Sequence, residues 1–72
     1  MEIDELSLIT TEIIPPLHGG LKYAAKVQAL FVTQGGERKR ISHEFGEVWG
    51  NTDSEARAKM IVIVESWVKS QQ

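Results

Sequence analysis

The chain has 72 residues, ten Asp and Glu against eight Lys and Arg, a formal net charge of −2 and no cysteine. That length admits one domain near the lower limit for an independent core, with no disulfide to support it. A cysteine-based zinc site is excluded, two histidines make a poor metal site, and no apolar run is long enough to cross a bilayer as a helix.

The opening stretch, MEIDELSL, is acidic from its second residue, unlike a secretory or transit peptide, so a cytoplasmic protein without cofactor or metal is the expectation. The near-neutral total hides an uneven distribution. Residues 1–16 carry Glu2, Asp4, Glu5 and Glu12, whereas the middle of the chain carries Lys22, Lys26, Arg38, Lys39 and Arg40 against Glu37.

Residues 5–14, ELSLITTEII, are rich in β-branched side chains and predict a first strand, ended by Pro15 and Pro16. Leu6 and Leu8 point one way and Ile9, Thr11 and Ile13 the other, so either both faces are partly buried or a bulge switches them. His18, Gly19 and Gly20 form a loose turn in which His18 is solvated. Neither Gly-Gly pair of the chain sits in a phosphate-binding pattern, and both read as turns.

Residues 21–33 alternate most clearly. Leu21, Tyr23, Ala25, Val27, Ala29 and Phe31 form one set, expected to face the core, and Lys22, Ala24, Lys26, Gln28, Leu30 and Val32 the other. A hairpin turn follows at 34–37, then a third strand over 38–49 with Ile41, His43 and Phe45 inward. A two-residue loop at Gly35-Gly36 would set Phe31 beside Arg40 and so mix core with outward residues. A three-residue loop, pairing Phe31 with Ile41, keeps the faces consistent. Gly46 is a candidate bulge.

Residues 52–70 predict the one helix. Thr52 and Glu55 have the spacing of a capping box. Ala56, Met60, Ile63, Val64 and Trp67 make an apolar stripe, and Glu55–Lys59 and Glu65–Lys69 are i,i+4 pairs. Ile61, Val62 and Val68 widen the apolar arc beyond what one sheet covers. The fold is therefore α+β: a two-layer, three-stranded antiparallel meander with one C-terminal helix on one face, in the order β-β-β-α and a single domain. The G-N-T-D-S-E-A entry to the helix resembles that of many small sheet-plus-helix proteins, HicB-like antitoxins among them. This likeness covers about a quarter of the chain, consists mostly of a helix cap, is shared too widely to assign a family, and carries over no functional residue.

One helix covers one side of a sheet. Leu6, Leu8, Ala24, Leu30 and Val32 are expected on the uncovered side, rimmed by Lys26, Arg38 and Arg40. This pattern predicts a small non-enzymatic interaction module, forming a homodimer or binding a protein partner through that face, with Leu8, Leu30, Val32 and Arg40 at the contact. An exposed edge strand offers a second route, by sheet extension. The alternative is a nucleic-acid-associated regulator using Lys22, Lys26, Arg38, Lys39 and Arg40, although no aromatic residue is expected on the outer face to stack on bases. His43 has no nucleophile beside it and reads as a rim histidine of the core, opposite Ala29, so catalysis around it is disfavoured.

Overall fold

The computed structural model describes residues 1–17 and 19–71, so the turn histidine His18 lies outside the described residues. The elements are β1 (Glu2–Leu17), β2 (Leu21–Gln34), β3 (Glu37–Arg40), β4 (Glu47–Gly50) and α1 (Asp53–Ser70). They build the expected α+β domain, an antiparallel sheet with one C-terminal helix. β2 is central, β1 flanks one side, and β3 and β4 lie in line along the other. The expected third strand is thus interrupted. Residues 41–46 leave the ladder between the pairs Phe31↔Arg40 and Lys26↔Glu47, with Gly46 at φ 74° where the strand resumes.

β1 runs through Pro15 and Pro16 instead of stopping before them. As an edge strand it tolerates residues that cannot donate, and its pairing with β2 jumps from Glu12↔Tyr23 to Leu17↔Leu21 around them.

One extra residue overturns the expected faces of β2. Leu8 pairs with Val27 and Ser7 with Ala29, leaving Gln28 as a bulge on β2. A bulge shifts the period-2 alternation by one residue. Tyr23, Ala25 and Val27 therefore share the helix side with Leu30 and Val32, while Ala29 and Phe31 turn outward with Ala24 and Lys26. Leu30 and Val32, expected on the outer face, are both 0% exposed and belong to the core. Leu6 pairs with Leu30, and with Leu8 it is half-buried against the core instead of facing out. A second bulge at Asp4 keeps Ile3 opposite Val32 and Glu5 opposite Phe31.

The same shift settles the β2–β3 turn. With Phe31 outward, pairing it with Arg40 no longer mixes faces, and the two-residue loop forms. Gly35 and Gly36 both adopt left-handed φ, 60° and 82°, as a type I′ hairpin turn requires. The three-residue loop expected from the alternation is not the one used.

Thr52 caps α1, its Oγ1 accepting from the Glu55 N–H at 3.0 Å, and the Glu55 carboxylate lies 3.4 Å from Lys59 Nζ. Among the described residues Glu65 and Lys69 form no ion pair. Ala56, Met60, Val64 and Val68 are buried at successive i+4 positions against Ala25, Leu30 and Val32. The stripe is thus displaced towards Val68, leaving Ile63 exposed and Trp67 half-buried. Gly50 lets the helix start this close: a Cβ there would lie 2.7 Å from the Ala56 backbone nitrogen.

The molecule measures 45 × 18 × 18 Å. An 18-residue helix spans about 27 Å, so it covers part of the β1–β2 hairpin and leaves the end carrying Ile14 and the prolines projecting beyond it. No helix among the described residues is long and apolar enough to cross a membrane.

Candidate functional site: the outer face of the sheet

The registers fix which side chains share the uncovered face. Reading across β1, β2 and the third position, the rows are Thr11–Ala24–Trp49, Ile9–Lys26–Glu47, Ser7–Ala29, Glu5–Phe31–Arg40 and Glu2–Thr33–Arg38. Lys22 falls on the same side as Ala24 by the pleat. Trp49 is 40% exposed and Ile9 36%. Ser7 Oγ donates to Gln28 Oε1 at 3.2 Å and ties the bulge to the edge strand.

Arg38 crosses this face. Its Nε lies 2.6 Å from Asp4 Oδ2 and its Nη2 3.3 Å from Glu5 Oε1, so it reaches from β3 over β2 to β1. On the way its guanidinium sits 4.3 Å above the Phe31 ring, with that of Arg40 at 5.9 Å. Each exposed ion pair or cation–π contact is worth up to about 1 kcal/mol, so the strap holds Phe31 in place without sealing it. Trp49 and Phe31 stand about 20 Å apart along the sheet at about 3.3 Å per residue.

Of the residues expected at a protein contact, Arg40 alone lies exposed on this face; Leu8 is half-buried against the core, and Leu30 and Val32 are within it. Of the five basic residues, Lys22, Lys26, Arg38 and Arg40 share the outer face, whereas Lys39 pairs with Val32 and takes the helix side; all five are exposed. The structure adds Trp49, Phe31 and Ile9. Trp49 was hidden by the break in the third strand and Phe31 by the bulge.

A second region surrounds the break. Ile41 keeps one bond to β2, its N–H donating to Leu30 O at 2.8 Å. His43 is exposed instead of lying in the ladder opposite Ala29. Its ring stacks on Trp67 (4.8 Å, 21°) and meets Phe45 edge-on (4.7 Å), while Phe45 meets Trp67 at 5.5 Å. This trio closes the side of the core where a strand is missing. An open groove of about 470 Å³ beside it is lined by Lys26, Val27, His43, Glu44, Phe45, Gly46 and Glu47. No group of three or more His, Cys, Asp or Glu among the described residues is placed to hold a metal.

At the helix start, Asp53 is held below the ordinary carboxylate range, first by a hydrogen bond from the Thr10 hydroxyl and then by Arg57. Arg57 Nε lies 3.0 Å from Asp53 Oδ1 and its Nη2 donates to Thr10 Oγ1 at 3.3 Å, which clamps helix to edge strand.

No family model, no curated protein and no solved structure matches the chain.

Proposed function

We propose that the protein is a non-enzymatic interaction module whose outer sheet face binds a protein partner, with Trp49, Phe31, Arg40 and Lys26 as the principal contacts. The observation that carries this is the placement of Trp49 and Phe31, flanked by cations, on the face that α1 leaves uncovered. Exposed Trp and Arg are the residue types that dominate protein contacts, because one side chain supplies both apolar area and directed polar groups. The face carries Lys22, Lys26, Arg38 and Arg40 against Glu2, Asp4, Glu5 and Glu47, a balanced charge that suits a mixed protein surface better than a polyanion.

The test is affinity capture from a native extract, wild type against Trp49→Ala and Arg40→Glu, with circular dichroism to confirm folding. Partners retained by wild type and lost from both variants support the reading. A capture profile indifferent to both substitutions overturns it.

A second reading, contact with single-stranded nucleic acid, is favoured by the same two aromatic rings, which supply the stacking platforms that the sequence alone did not place on this face. It predicts quenching of Trp49 fluorescence by an oligonucleotide at low salt, with affinity falling steeply as salt rises. A titration with no Trp49-dependent quenching at low ionic strength removes it.

A further inference from the structure

Beyond the outer face, we infer that a second copy of this chain adds to the sheet along β1, antiparallel and about a two-fold axis at Ile9. β1 occupies the sheet edge, with β2 on its inner side, and turns the outward half of its N–H and C=O groups towards solvent.

Edge strands are ordinarily blunted by charge, bulge or proline. Here those devices are confined to the ends: Glu2, the bulge at Asp4 and Glu5 at one, Glu12, Pro15 and Pro16 at the other. Residues 6–11, LSLITT, carry none of them; the bulge that falls between Ser7 and Leu8 belongs to β2, at Gln28. Apolar groups flank this window on both faces. Ile9 is 36% exposed on the outer side, and Ile61 is 39% exposed on the helix. Ile61 lies one turn beyond Arg57, the residue that contacts Thr10, and so occupies the flank of α1 that overhangs β1.

The occupant follows from pleat and charge. In a self-pairing that keeps both helices on one side of the joined sheet, residues directly opposite must share a face, so the axis passes through a residue and not between two. An axis at Leu8 brings Asp4 near the partner's Glu12. An axis at Ile9 sets Glu5 against the partner's Ile13 and Glu12 against the partner's Leu6, with no carboxylates opposed. It also places Ile9 against its own copy, and Leu6 and Leu8 against the partner's Glu12 and Thr10. The window is thus self-complementary.

The chain has no cysteine, so a single introduced thiol reports the geometry directly. Directly opposed Cβ atoms lie about 4.5–5.5 Å apart across an antiparallel pair, close enough for a disulfide after a small adjustment. Sedimentation equilibrium of the full chain across the micromolar range is expected to show a monomer–dimer equilibrium. Ile9→Cys is expected to form a covalent dimer under mild oxidation, and Val62→Cys, on the far side of the helix, to remain monomeric. Ile9→Lys opposes like charges at the axis and should weaken self-association at least about tenfold with unchanged far-ultraviolet circular dichroism. Trp49→Ala leaves the dimer intact, which separates this edge from the face proposed above. A wild-type chain that stays monomeric throughout the range overturns the inference. So does a dimer that Val62→Cys traps and Ile9→Cys does not.

Discussion

Deleting Gln28, in the middle of the central strand of the sheet, is expected to leave the fold intact. Gln28 is the residue without a partner between the pairs Leu8↔Val27 and Ser7↔Ala29. Without it, Val27, Ala29, Leu30 and Phe31 alternate in, out, in and out opposite Leu8, Ser7, Leu6 and Glu5, and every core residue keeps its side. Residues 41–46, already outside the ladder on the other flank, absorb the shift. The expected cost is about 1 kcal/mol, on the scale of the one hydrogen bond lost between Ser7 and Gln28. Were β2 regular, the same deletion would turn Leu30 and Val32, both 0% exposed, out of the core. At about 1.5–3 kcal/mol per buried aliphatic side chain this would cost about 3–6 kcal/mol. A domain of this size holds about 4–11 kcal/mol in total. Urea unfolding followed by circular dichroism distinguishes the two outcomes. Deletion of Lys26 serves as the comparison: the bulge absorbs it from Ala29 onward, but Val27 then turns outward opposite Ile9 and Gln28 enters the helix side opposite Leu8. It is therefore expected to cost more than the Gln28 deletion, by about 1.5–3 kcal/mol for the lost Val27 burial. A Gln28 deletion that unfolds, or that loses more than about 3 kcal/mol, refutes the bulge as the device that sets the core.

Gly50→Ala is expected to destabilise by about 1–3 kcal/mol, because the new Cβ meets the Ala56 nitrogen at 2.7 Å and a backbone atom has little room to retreat; thermal melts should fall by about 4–8 °C per kcal/mol. In the β2–β3 turn, Gly35→Asn should be nearly neutral in urea melts, since Asn tolerates left-handed φ. Gly36→Val should cost at least about 1 kcal/mol. The lowered pKa of Asp53 means that its contribution is complete above its ordinary carboxylate value and is lost as pH falls through the lower folded value. Thr10→Val, which removes the largest cause of the shift, should therefore flatten the fall in stability below about pH 4, measured as urea midpoints across an acid series.

The helix was legible because its signals are local. Thr52, Glu55 and the i+4 recurrence from Ala56 through Met60 to Val64 act within a turn or two of one another, and the structure displaces the stripe only towards Val68. The inner placement of Ile41 and Phe45 was legible too, since both pack on the core although their segment leaves the ladder. The faces of the long strand were not. Residues 21–33 alternate without a break in the sequence, and a bulge costs one backbone pairing that no side-chain pattern records. Two signals pointed to it. The odd-numbered set contains Ala25 and Ala29, so it is thin where the helix packs, whereas taking Tyr23, Ala25 and Val27 with Leu30 and Val32 assembles a fuller face. The Gly-Gly pair also favours a two-residue turn, and accepting that turn forces Phe31 outward.

That exchange decides what kind of surface the domain offers. With Leu30 and Val32 outward, the uncovered face would be an aliphatic patch, sticky and undiscriminating. With Ala29 and Phe31 outward it becomes a sparse face, in which two aromatic residues stand apart among charges of both signs and Arg38 is tied to Asp4 and Glu5. Charges arranged in fixed positions around separated anchors discriminate among partners, because a mismatched surface leaves them desolvated and unpaired. The aliphatic burial that a small core requires and the proposed contact surface thus occupy opposite faces of one sheet. The single residue Gln28 is what assigns the side chains beyond it to one or the other.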